Sequence, residues 1–395
     1  MTGNDYLRIW YRVQIGATLV ILAMMMIRNY EFNRQTVALA LLIMVIILGI
    51  GLVFELLPNM PLLVKKLNAW LQVITQPIIL VFAWDVMVRE IIVLLHLPSR
   101  GVVTMMIFYY FIMFAPFASV IGELMHWSIE RLIFIAWLAQ VVFTPLIALP
   151  TDLVDNHFLL LALSTGAVGA VAFFILTTTV IRTWHLRWSG LKPHWSGDFN
   201  WLIFAGLVVV DAIFTVLNTG EMPSLHRANW DFTLSAFEAA VMEETLFRFA
   251  ILGILFYAWR NVKQRLPLAL ATSSILFGIV HLTNYGPQEW SMTVLQAVSA
   301  AGIGLFFATV YVYTGQLWLA MLMHFLLDWT AFIASDSTLM TGKVTVQDWI
   351  GTGIELVVFI GIAVWMMFGQ RRQVMERHVN RLTGEHQRFD FMIQY

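Results

Sequence analysis

The stretch Ala239-Ala240-Val241-Met242-Glu243-Glu244-Thr245-Leu246-Phe247-Arg248-Phe249-Ala250 puts two glutamates and an arginine inside an otherwise apolar run. The run extends over 233–258, and about 20 mostly apolar residues suffice to cross a bilayer core. An ionisable side chain at the centre of such a span costs roughly 2.5–3.5 kcal/mol on insertion scales. A span keeps three of them where they satisfy one another or act chemically. Glu244 and Arg248, four residues apart, share a helix face and can pair. Adjacent residues diverge by about 100°, so Glu243 points elsewhere, free to meet another helix. A purely neutralising role for both glutamates would need a second basic partner, and the nearby sequence has none.

Two further motifs lie downstream at membrane depth. Phe277-x-x-x-His281 ends the apolar run Ala269–Val280, before a helix stop at Thr283-Asn284-Tyr285-Gly286-Pro287. Alone, that histidine reads as an interfacial or capping residue. His324-x-x-x-Asp328 lies within Leu317–Ile333 on one helix face. A carboxylate beside an imidazole fixes its tautomer and raises its basicity; such a pair can also lock two helices. Glutamate and histidine are the residue types that activate water, so the three motifs together point to an intramembrane hydrolase. Glu238 lines the same cavity or faces water. Asp211 and Glu355, alone in their spans, read as packing or cavity residues. Gly302-x-Gly304 reads as a close helix contact.

Composition agrees. The 395 residues are 60% hydrophobic and 12% charged, against about 25% charged in soluble domains. A net charge of −1 without a Lys/Arg stripe argues against nucleic acid as a partner. The absence of cysteine excludes disulfides, thiolate metal sites and a cysteine nucleophile. The fold expected is all-α, a polytopic transmembrane bundle of about twelve spans near 10–27, 36–57, 69–88, 102–123, 132–149, 157–181, 200–217, 233–258, 267–283, 292–314, 317–335 and 349–368. The N-terminus reads as an uncleaved anchor. Residues 1–181 form an N-terminal transmembrane half of unknown role, with Glu55, Asp85, Arg89 and Glu123 snorkelling to water. Residues 182–199 are a polar connector, 200–369 hold the motifs, and 370–395 are a charged tail, surface-helical or disordered. Trp10, Trp70, Trp127, Trp290 and Trp349 fit interfacial belts. Lys/Arg-rich loops fall on one side if there are twelve spans, which puts both termini in the cytoplasm and fits a plasma-membrane protein. A transporter would need Gly/Pro-broken helices in matching halves, and none is found.

Glu-Glu-x-x-x-Arg, Phe-x-x-x-His and His-x-x-x-Asp in this order, with Phe277-Gly278-Ile279-Val280-His281-Leu282 and Tyr313-Thr314-Gly315-Gln316-Leu317-Trp318, resemble the CPBP family. These are the type II CAAX-prenyl-protease and bacteriocin-processing intramembrane endopeptidases, also called Abi proteins. The resemblance covers about residues 200–335. It implies an endopeptidase acting on membrane-associated or lipidated peptides in contact with membrane lipid. Glu243 would take a proton from water, His281 would orient that water, and His324 with residue 328 would stabilise the oxyanion. Glu244 and Arg248 would brace the helix or contact substrate. Some members carry asparagine where this chain has Asp328, which must orient His324 or stay protonated. Glu243, His281 and His324 could also ligate Zn²⁺, but the His-Glu-x-x-His spacing is missing, and a cofactor-free mechanism is favoured. The alternative is a non-catalytic bacteriocin-immunity or scaffold protein on the same fold.

Overall fold

The computed structural model describes residues 3–57, 59–143, 151–187, 199–219, 228–340 and 342–384. These are all-α and divide into two compact units, Met1–Trp184 and His185–Tyr395. Most of the connector (188–198), the loop residue Arg227 and the end of the tail (385–395) lie outside the described residues.

The first unit contains α1 (Gly3–Glu31), α2 (Gln35–Leu56), α3 (Leu62–Leu95), α4 (Ser99–Gly122), α5 (Ser128–Phe143), α6 (His157–Ser164) and α7 (Ala167–Thr183). Helix α4 is its centre, with Phe114, Phe117 and Ala118 wholly buried. The charged residues expected to reach for water are also paired with protein groups. Glu55 meets Arg12 at 3.0 Å, Glu123 meets Arg8 at 2.8 Å, and Arg89 bridges Asp85 (3.0 Å) and Asp152 (2.8 Å). Trp84 and Trp184 also depart from the interfacial pattern. Both are fully buried and donate Nε1–H to the carbonyls of Met106 and Gly122, each at 2.8 Å.

The second unit contains α8 (Trp201–Thr219), α9 (Trp230–Glu244), a π-helical stretch (Thr245–Ile251), α10 (Leu252–Ala258), α11 (Arg265–Val280), a 3₁₀ turn (His281–Asn284), α12 (Trp290–Thr314), α13 (Leu317–Ser335), α14 (Val346–Met366) and α15 (Gly369–Thr383). Helix α9 starts at Asn229, whose side chain accepts the Phe232 N–H, the usual N-cap contact. It packs on α13, where Trp329 Nε1 donates to Thr233 Oγ1 at 3.1 Å. Helices α11 and α12 cross where Gly278 meets Ala297 and Ala301. A Cβ on Gly278 would lie 2.5 Å from the Ala297 carbonyl oxygen, so only glycine permits this approach. Helix α15, from the expected tail, is packed: Val374, Met375 and Val379 are buried, Arg265 bonds Asn380, and His378 Nδ1 donates to the Val312 carbonyl at 2.8 Å.

Nine helices among the described residues are long and apolar enough to cross a membrane, or ten if the pair α6/α7, bent by 56°, is one span. The expected count of about twelve is not confirmed among the described residues. Helix α5 is described over 16 residues, with 144–150 outside the described residues. The segment 233–258 is helical but divided by the π stretch into two short helices. The many apolar helices make this an integral membrane protein.

Candidate functional site

Glu243 and Glu244 close the C-terminal end of α9, and Arg248 lies one turn on, within the π stretch. Glu244 is wholly buried, as is Arg248, and Arg248 Nε meets Glu244 Oε2 at 3.1 Å. The second Glu244 oxygen accepts from His324 Nδ1 at 2.9 Å. Glu244 therefore bridges Arg248 to His324, a link between α9 and α13 that spacing alone does not reveal. Because a carboxylate oxygen only accepts, Nδ1 carries a proton, and Glu244 rather than Asp328 fixes this end of the ring.

The other nitrogen, His324 Nε2, faces Asp328 Oδ2 at 3.3 Å and Glu243 Oε2 at 3.7 Å. The imidazole thus lies among three carboxylates, itself 6% exposed. Glu243 is 27% and Asp328 20% exposed, so the reachable side of the cluster is theirs. His281, at the start of the 3₁₀ turn, holds its Nδ1 2.8 Å from the Phe277 carbonyl oxygen. A carbonyl cannot donate, so Nδ1 carries a proton, and in the neutral ring Nε2 offers a lone pair. That imidazole lies within electrostatic range of Glu243.

Phe277 is the platform of the site. Its ring centroid is 4.8 Å from that of His281 and 6.1 Å from that of His324, and the Arg248 guanidinium lies 4.2 Å over it. A desolvated cation–π contact contributes about 2 kcal/mol, which offsets part of the burial of Arg248. The Gly304 carbonyl accepts from Arg248 Nη2 at 3.5 Å, and Phe307 stands 5.5 Å from His324 between ring centroids. A Cβ on Gly304 would lie 2.8 Å from Phe277. The Gly302-x-Gly304 pair signalled this approach, whereas nothing in the sequence distinguished Phe307. The π stretch was equally silent. It leaves the Phe247 carbonyl accepting both the Leu252 N–H and the Ser273 hydroxyl, the latter at 2.9 Å from α11. Such turns recur at functional sites.

The arrangement does not fit a zinc centre. Both nitrogens of His324 face carboxylates and one of His281 is held by a carbonyl. Among the described residues no three His, Asp or Glu side chains converge to hold a metal. The chemistry available is acid–base: a partly exposed carboxylate beside two oriented imidazoles.

The family model of type II CAAX prenyl endopeptidases, Rce1-like, matches residues 226–330. This segment is similar to the Rce1-like domain. The match agrees with the CPBP resemblance, covers roughly a quarter of the chain, and contains α9 through about the first three-quarters of α13. The family that this model describes is one of intramembrane CAAX-type endopeptidases. Comparison with curated proteins and with solved structures gave no match.

Proposed function

We propose that the protein hydrolyses a peptide bond of a membrane-associated or lipidated peptide by glutamate-activated water, without a metal. Glu243 takes the proton from water, and His281 presents that water through its Nε2 lone pair. His324, whose Nδ1 already donates to Glu244, acts as the doubly protonated imidazolium and donates from Nε2 toward the developing oxyanion, with Asp328 beside it. Glu244 and Arg248 hold His324 in place. The observation that carries this reading is the contrast between adjacent glutamates: Glu244 is wholly buried on Arg248 and His324, whereas Glu243 is partly exposed, meets His324 Nε2 only at 3.7 Å and has no arginine or lysine in an ion pair with it. Amide hydrolysis needs such a base, together with donors aimed at charge that develops in a water-poor site. The substrate class, a CAAX-type tail, rests on the family match. A bacteriocin-immunity role has no observation in its favour.

The test is cleavage of a farnesylated CAAX-type peptide by protein reconstituted in vesicles. Wild type is expected to release the C-terminal tripeptide and His324→Ala to lower the rate by about 10²–10³, the usual loss for one oxyanion donor. Unchanged turnover in His324→Ala, with only a lower melting temperature, would make the histidine a helix-locking residue and remove it from the mechanism.

A further inference from the structure

The hydrogen bond and the ring contact of His281 are both local. Its Nδ1 donates to the Phe277 carbonyl at 2.8 Å, and its ring meets the Phe277 ring edge-on at 4.8 Å between centroids. Helix α11 ends at Val280, and His281–Asn284 continue as one 3₁₀ turn. Hydrogen-bond geometry in such a turn is poorer than in an α-helix, and longer runs are uncommon. Beyond it the chain reverses. Gly286 has φ +113°, a backbone open to glycine, and its N–H donates to the Gln288 carbonyl at 3.3 Å. No helix continues past Asn284 to hold the turn from that end.

A pair of carboxamides ties the turn across to α12. Asn284 Nδ2 donates to Gln296 Oε1 at 2.9 Å, and among the described residues this is the only hydrogen bond between the turn and α12. It closes one end of the seam between α11 and α12. In the middle of that seam Gly278 lies against Ala297 and Ala301, and further along Gly304 meets Phe277. His281 comes three residues after Gly278 and three before Asn284, so it is bracketed by two points at which its segment is fixed to α12. Three residues make one revolution of a 3₁₀ turn, and side chains three apart eclipse one another. Asn284 therefore follows His281 on the same side, and a shift of Asn284 rotates the turn that carries the imidazole. Both amides are half-buried. A hydrogen bond between neutral groups contributes only about 1 kcal/mol to folding, too little to decide whether the unit folds. Its consequence is local, at the histidine it brackets. Neither Asn284 nor Gln296 belongs to the three motifs of the sequence.

We propose that Gln296, acting through Asn284, is a positioning residue for His281 and sets the direction in which Nε2 presents water to Glu243. This rests on the peptidase reading above. The test uses full-length wild type, Gln296→Leu, Asn284→Ala and the double variant in nanodiscs. Cleavage of the farnesylated CAAX-type peptide and ring ¹⁵N spectra of histidine-labelled protein are read on the same preparations. Gln296→Leu is expected to lower kcat by about 10–10²-fold with KM unchanged, the scale of a misplacement near 1 Å. Asn284→Ala is expected to match it, and the double variant to be no slower than either, because both substitutions remove one contact. The His281 signal, assigned by its absence from His281→Ala protein, is expected to change in each variant while that of His324 stays as in wild type. Unchanged kcat, a loss confined to KM, or losses that multiply in the double variant overturn the proposal. So does an unaltered His281 signal beside a lower melting temperature, which makes the pair a contact that only stabilises the fold. If wild type cleaves no peptide, the hydrolysis falls, and the His281 signal alone decides the positioning role.

Discussion

Glu243 and Glu244 are neighbours in the chain with different surroundings. Glu244, buried between Arg248 and His324, holds two charged partners. Removing one member of a buried pair strands the other and typically costs about 3–5 kcal/mol. Glu244→Ala is therefore expected to lower thermal stability sharply, read as the melting temperature of purified protein. Glu243→Gln keeps shape and removes only the base, so it is expected to abolish cleavage with little change in melting temperature. Equal cleavage rates for Glu243→Gln and wild type would end its assignment as base. Asp328→Asn is expected to be mild, because Glu244 already orients the ring and an asparagine amide can itself donate. Cleavage is also expected to survive strong chelators, since both ring nitrogens of His324 are engaged by carboxylates. Loss on chelation with recovery on Zn²⁺ would turn Glu243, His281 and His324 into ligands.

At the scale of elements, the site depends on how closely α11 and α12 approach and on the π stretch that follows α9. Gly304→Ala adds a Cβ 2.8 Å from the rigid Phe277 ring. Overpacking of this kind costs about 1–3 kcal/mol, and here it displaces the ring that supports both histidines. A drop in both melting temperature and turnover is expected; unchanged values in both would show that Phe277 does not hold the site. Ser273→Ala removes one bond to the π-stretch carbonyl of Phe247, leaving the Leu252 N–H as its partner. About 1 kcal/mol of stability is expected to go with it, measurable as an earlier thermal midpoint. The close approach at Gly304 was signalled by the Gly302-x-Gly304 pair, but the π stretch was not legible beforehand: Glu-Glu-x-x-x-Arg reads as an ordinary α-helical spacing, and π geometry has no residue signature.

For the whole molecule, the apolar segments gave the helices but not the number of crossings. A periodic apolar pattern does not say whether a run such as 233–258 is α-helical throughout or carries a π-helical stretch. Orientation rests on loop charge. The loop 260–266, with Arg260, Lys263 and Arg265, is expected to face the cytoplasm, along with the connector 182–199. Because the chain has no cysteine, single cysteines placed at Val262 or Arg187 can be labelled without background. Reaction with an impermeant maleimide from outside intact cells would reverse the topology.

The sequence by itself determined the all-helical membrane fold, because apolar runs of this length are stable only where lipid or protein replaces water. It determined the membership of the polar cluster too, since ionisable residues so costly at membrane depth are conspicuous among aliphatic neighbours. Four-residue spacing also fixed the Glu244–Arg248 and His324–Asp328 pairings, which are properties of one helix. Tertiary structure alone decided which carboxylate holds which nitrogen of His324, and that Phe277 and Gly304 carry Arg248. Those contacts join residues tens of positions apart, and their geometry depends on crossing and approach distances that no local pattern encodes.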